Sequence, residues 1–156
     1  MITRILLAVD DSPAGLAAAR VAVQLAETCR AELRAVTVLL DGLLEAELVG
    51  IGGRSESSEA LRARRGGGQI SLLHHVEQIG HSHHVEPETA ALLGQPAPTI
   101  LADARDYRPD VIVIGRSDRR RAGEPYVGSE VRHVLEFAEV PVLVVPADST
   151  ALGSGR

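Results

Sequence analysis

Three short runs, Ile5-Leu6-Leu7-Ala8-Val9, Val111-Ile112-Val113-Ile114 and Val142-Leu143-Val144-Val145, contain no polar residue at all. A strand with one wet face alternates apolar and polar side chains. Runs without alternation suit strands covered on both sides, as in a parallel sheet between two layers of helices. Between these runs the period changes. Ser12 is a good N-cap and Pro13 a good first helical residue, and Leu16, Ala19, Val23 and Ala26 follow at helical spacing, so a helix is expected to about Arg30. Leu33 to Leu39 reads as a second strand, completing a β-α-β unit.

Asp41 to Gly68 is the least patterned stretch, with a short helix expected at Ser57 to Arg65 and a flexible loop at Gly66-Gly67-Gly68. No strand precedes this glycine triplet and no Lys-Ser or Lys-Thr follows it, so it does not read as a phosphate cradle. Gln69 to Gly80 places Ile70, Leu72, Leu73, Val76 and Ile79 on a helical face. A third strand lies within Ser82 to Leu93, at a sheet edge because of Pro87. Pro98 opens another helix, with Ile100, Leu101 and Ala104 inward and Pro109 at its end; Ser129 caps the last one, with Val131, Val134, Leu135 and Ala138 inward. Residues 1–147 are expected to form one domain and 148–156 a disordered tail.

This alternation predicts an α/β fold: a single doubly wound five-stranded parallel sheet, order 3-2-1-4-5, with helices on both faces in the Rossmann-like manner. In that order the direction of winding reverses between strands one and four. Ligands in such sheets bind outside the carboxyl ends of the strands at the reversal, which here is Val9-Asp10 facing Ile114-Gly115.

Composition excludes several functions. The net charge of -5 and aromatic content of 2% offer neither a positive field nor stacking rings for nucleic acid. A single cysteine, Cys29, forbids an intrachain disulfide and fits a reducing compartment. No stretch approaches the roughly 20 apolar residues of a membrane span, and Met1 to Leu7 lacks the features of a signal peptide, so a cytoplasmic protein is expected.

After strand four the chain reads Gly115-Arg116-Ser117-Asp118, nine further residues, then Gly128-Ser129 and a helix. Together with Val9-Asp10-Asp11-Ser12, the strand Asp110 to Gly115 and the closing Val140-Pro141-Val142-Leu143-Val144-Val145-Pro146, this resembles the universal stress protein family over nearly the whole chain. Nucleotide-binding members carry Gly, two residues, Gly, nine residues, then Gly with Ser or Thr. The resemblance implies an ATP-binding stress or regulatory protein. Ala8, Val9 and Asp10 would hold adenine and ribose, Val38 would line the adenine pocket and Ile114 would form the opposite wall. Gly115 would admit a close ribose or phosphate, with Arg116 beside it, and Gly128, Ser129 and Glu130 would offer backbone N–H groups at a helix start. It also implies a homodimer through the last strand, Val142 to Val145.

Asp118 departs from that pattern by replacing the second glycine. Two unit charges 4 Å apart repel by about 4 kcal/mol at an effective dielectric near 20, against about 1 to 2 kcal/mol returned by a helix N-terminus. Arg116 and Arg119-Arg120-Arg121 could offset the carboxylate, or Mg²⁺ could turn it into a ligand. Glu130 adds a second negative group at the phosphate end. The alternative is therefore a dimeric interaction module of the same fold that has lost its nucleotide through Asp118.

At most slow, incidental ATP hydrolysis is expected, because no general base stands beside the phosphate position. Ser129 reads as a helix cap, without the nucleophile elbow of a Ser-His-Asp hydrolase. Asp10-Asp11 is similar to the acid pocket of a response regulator, but the strands that should supply a phosphoacceptor Asp and a Lys end at Gly115 and Pro146; Asp11 is expected to help cap the first helix. His74, His75, His81, His83 and His84 match no metal-binding spacing and read as a solvent-facing or dimer-edge cluster.

Overall fold

The computed structural model describes residues 1–40, 58–116 and 127–149, with 58–66 described as backbone alone. Strand β1 (Arg4–Ala8) is the middle of a five-stranded sheet and pairs in parallel with β2 (Glu32–Leu39) on one side and β4 (Val111–Gly115) on the other. Strand β3 (Glu88–Leu93) lies outside β2 and β5 (Val142–Val145) outside β4, giving the order β3-β2-β1-β4-β5, all parallel. The expected order is the observed one.

The central position explains the unbroken apolar run of β1; β5, expected to be covered on both sides in the same way, is instead an edge strand with Leu143 exposed. Ile5, Leu7 and Val9 project into a core with helices α1 (Pro13–Cys29) and α2 (Ser58–Ser82), while Leu6 and Ala8 project to the other face. There they meet α3 (Pro96–Tyr107) and α4 (Ser129–Phe137). Alternate residues point to opposite faces of a strand, so a strand buried twice needs an apolar residue at every position.

Helix α1 starts as its sequence predicts: Ser12 caps it, its hydroxyl accepting from the Gly15 N–H at 3.0 Å, and Pro13 opens it. Its buried face is mostly alanine, Ala14, Ala17, Ala18, Ala22 and Ala26, which lets its backbone lie close to the sheet. Near the amino ends of β1 and β4, the Asp110 carboxylate accepts from the backbone N–H groups of Thr3 and Arg4 and from the Thr3 hydroxyl. Those bonds, the Thr3 N–H first, hold its carboxyl below the usual carboxylate range.

Several expectations need correction. Helix α2 runs unbroken from Ser58 through Gly66-Gly67-Gly68, where a flexible loop was expected. A Cβ at Gly67 or Gly68 would meet no atom within 4 Å, so nothing in the packing requires glycine there. Each glycine costs the helix about 1 kcal/mol relative to alanine. Ile70 is 68% exposed although Leu72, Leu73 and Val76 are buried. At about 100° per residue, Gln69 shares the inward line with Leu73 and Val76, and Ile70 is turned away from it.

Helix α3 begins at Pro96, two residues before Pro98. In α4 the cap is Gly128, and Ser129 is the first helical residue with no capping hydrogen bond. Leu135 is exposed while Val131 and Val134 are buried; one residue on from Val134, it is turned about 100° from that side chain around the helix. At the end of the chain, Asp148 lies in a turn closed by the Ser149 N–H to the Pro146 carbonyl, so the expected disordered tail does not begin at 148. Residues 150–156 lie outside the described residues, as do 41–57 from the poorly patterned stretch.

Candidate functional site

The carboxyl ends of β1, β2 and β4 open into a cleft of about 460 Å³ at the point where the winding reverses. Ala8, Val9 and Asp10 come from the end of β1 and the turn after it, Val38 from β2, Ile114 and Gly115 from β4, and Gly128, Ser129 and Glu130 from the start of α4. Nine of the residues expected from the sequence therefore line one space.

Arg116 does not line it. Its backbone N–H donates to the Val145 carbonyl at 2.7 Å, prolonging the β4–β5 ladder. Asp118 and Arg119-Arg120-Arg121 lie outside the described residues.

Gly115 is a glycine for a reason other than ligand approach. A Cβ there would sit 2.6 Å from the Ala14 carbonyl oxygen and 2.7 Å from the Gly15 nitrogen. The missing side chain makes room for the first turn of α1, which the alanine face draws down onto the sheet. Asp10, too, has a structural task that the sequence reading assigned to Asp11: its Oδ1 accepts from the Ser12 N–H at 3.1 Å and from the Ser12 hydroxyl. This ties the end of β1 to the cap of α1 and fixes the rim of the cleft.

The two ends of the cleft differ in chemistry. At one end stands the amino terminus of α4. Ser129, Glu130 and Val131 line the cleft there, and the first backbone N–H groups of a helix have no intrahelical acceptor. With the helix dipole they form a place for an anion. Glu130 remains a negative group at this end of the cleft, with its carboxylate engaged by a neighbouring helix. Its Oε2 accepts from the Ala97 N–H at 2.9 Å, supplying at the start of α3 the cap that Gln95 does not.

At the other end are Val36, Thr37, Val38 and Gln69, with Pro96 and Ile100 along one wall. Thr37 and Gln69 were missed from sequence. Thr37 is 2% exposed, and its hydroxyl donates to Gln69 Oε1 at 2.5 Å. The signal was present: each is a polar residue on an otherwise apolar line, Thr37 after Leu33 and Ala35 on one strand face, Gln69 before Leu73 and Val76 on one helix face.

The histidine cluster lies away from this cleft. His74 is exposed on α2, and His83 Nδ1 lies 2.8 Å from Glu27 Oε2 at the end of α1. Among the described residues no group of three or more His, Cys, Asp or Glu side chains is arranged to hold a metal ion. Nor is any described helix long and apolar enough to cross a membrane.

A family model described as the universal stress protein family matches residues 1–146. No curated protein sequence matches the chain significantly. Among solved structures, the universal stress protein UspA from Lactobacillus plantarum superposes with a TM-score of 0.72 at 25% identity, over 92% of this chain and 97% of that one. The universal stress protein from Archaeoglobus fulgidus in complex with dAMP gives 0.60 at 23% identity, over 93% and 99%. A universal stress protein in complex with cAMP gives 0.67 at 17% identity, over 94% and 98%.

Proposed function

Since the chain belongs to the universal stress protein family, we propose that its switch-point cleft binds an adenine nucleotide, with ATP as the ligand, and that binding serves regulation in a stress response. The observation that carries this reading is the uncapped amino terminus of α4 facing an apolar-walled cleft at the sheet's reversal point. The phosphates would lie against Gly128, Ser129 and the backbone N–H groups that follow, and the base would lie toward Val38. The dAMP and cAMP complexes of related folds support the same ligand class. Any ATP hydrolysis would be slow and incidental to this regulatory role.

Calorimetric titration of the protein with ATP, with and without Mg²⁺, tests this beside the Asp118→Gly variant. Micromolar binding by the unaltered protein is the expected result, and dependence on Mg²⁺ would make Asp118 a cation ligand. Binding by the variant alone would show instead that one carboxylate has closed the site and left an interaction module. No binding by either protein would end the nucleotide reading.

The same proposal includes a homodimer through β5. Among the described residues this strand has a neighbour on one side only, and Leu143 is exposed on it, so its outer edge can pair with a second copy. Sedimentation at micromolar concentration should give a dimer, and Leu143→Lys a monomer that still unfolds cooperatively. A monomeric wild-type protein would remove β5 as an interface.

A further inference from the structure

We propose that a second cavity, at the amino ends of β4 and β5, binds a small amphipathic carboxylate, with its alkyl chain inside and its carboxylate held by Arg105 and Arg108. The cavity lies between the carboxyl ends of α3 and α4 and has a volume of about 320 Å³. That is room for about ten groups the size of a water molecule, a size that octanoate matches. Leu101, Pro109 and Ile112 are buried at its floor, and Ala104, Phe137 and Val140 form its walls. No residue lines both this cavity and the switch-point cleft, so the proposal does not depend on the nucleotide reading.

Two observations select the ligand. The first is apolar surface left open: Phe137, the only phenylalanine in the chain, is 53% exposed beside the cavity, and an alkyl chain would take that surface out of water. The second is charge. Among the described residues the charged side chains lining the cavity are Arg105, Arg108 and Glu139, two cations against one anion. Arg105 Nε stands 3.9 Å from Glu139 Oε1, with both side chains largely exposed, and the Arg108 side chain makes no hydrogen bond or ion pair among the described residues. The mouth therefore lacks one negative charge, and a guanidinium presents paired donors that match a carboxylate. Basic residues at the end of a helix also complement its dipole. That role alone would account for the two arginines, but not for an apolar cavity beside them.

The test therefore reads binding together with stability. Octanoate, hexanoate, octanol and octylamine are titrated into the full chain and into Arg105→Gln, Arg108→Gln and Ala104→Leu, and each protein is melted without ligand. Octanoate should bind saturably at sub-millimolar concentration and shift the ring resonances of Phe137, which no second phenylalanine can obscure. Hexanoate should bind about tenfold more weakly, the scale of two buried methylenes, and octylamine should not bind. Each arginine variant should weaken octanoate by about three- to fivefold, the scale of an exposed ion pair, and leave octanol unchanged. Ala104→Leu, which fills the cavity, should abolish binding of octanoate.

No saturable binding at millimolar octanoate, equal binding of octylamine, or binding that survives Ala104→Leu would overturn the proposal. So would arginine variants that melt at lower temperature with an unchanged affinity for octanoate, because Arg105 and Arg108 would then serve only the end of α3. If Ala104→Leu does not fold, the Phe137 resonances and the arginine variants decide: unshifted resonances at saturating octanoate would place the ligand elsewhere and overturn the proposal.

Discussion

Truncation of Asp103 to alanine should destabilise the protein by about 3 kcal/mol, the scale for removing one partner of a buried ion pair. Arg34 on β2 donates from Nε to Asp103 Oδ2 at 2.9 Å and from its terminal nitrogen to Oδ1 at 2.8 Å, a two-pronged pairing that joins the sheet to α3. The side chains are only 15% and 11% exposed. The hydrogen bond that Arg34 donates to Asp103 is the largest influence raising the Arg34 pKa, against desolvation, and a guanidinium cannot shed its charge at ordinary pH in any case. Without Asp103 the half-buried cation keeps its bond to Glu88, which is 67% exposed, and its place 5.9 Å from the Tyr107 ring.

Urea unfolding measures the loss. In a domain of this size it corresponds to a fall of about 6 to 12 °C in Tm. Glu88→Ala is the control, expected within about 0.5 kcal/mol of the wild type because exposed pairs contribute little. If the two variants unfold alike, the paired geometry at Asp103 is not what ties α3 to β2.

Gly115→Ala should cost about 1 to 3 kcal/mol, the range for forcing one extra carbon into a packed interior. The atoms it would meet belong to the α1 backbone and cannot rotate aside, so the first turn of the helix must move. That turn carries Ser12, which is bonded to Asp10 at the rim of the cleft. The variant should therefore bind nucleotide more weakly as well as unfold more easily. Gly68→Ala provides the contrast: with open space around the new methyl group and a helical backbone, it should leave stability unchanged or raise it by up to about 1 kcal/mol. Equal behaviour of the two variants would mean that α1 yields to Gly115→Ala at no cost.

The sheet was legible because burial on both faces leaves an unmistakable mark on β1 and β4, where nearly every position is buried and apolar; β5 carries the same apolar pattern at the sheet's edge, with Leu143 exposed. The order of the strands then followed from connection rules. What could not be read was the use of individual side chains within that frame. Gly115 matches a ligand-binding pattern, yet its lost Cβ answers to Ala14 and Gly15, a contact that depends on how closely an alanine-faced helix approaches the sheet. That Glu130 also caps α3 could not be read from sequence, because it depends on α3 beginning at Pro96, close enough for the Ala97 N–H to reach its carboxylate. The helix through Gly66-Gly67-Gly68 contradicts local propensity because tertiary packing of Leu72, Leu73 and Val76 holds the rest of α2. Thr37 and Gln69 lay within reach of a periodicity argument, each being a polar residue on an otherwise apolar line.

The bond from Ala97 to Glu130 gives the cleft a polarity. Two helices, α3 and α4, begin at its edge, and each would present the positive end of a dipole. Glu130 gives the hydrogen bond of its carboxylate to one of them and leaves the N–H groups of the other without a side-chain cap. An arriving anion thus finds one vacant pole instead of two, and a ligand charged at a single end has one favourable way round to enter.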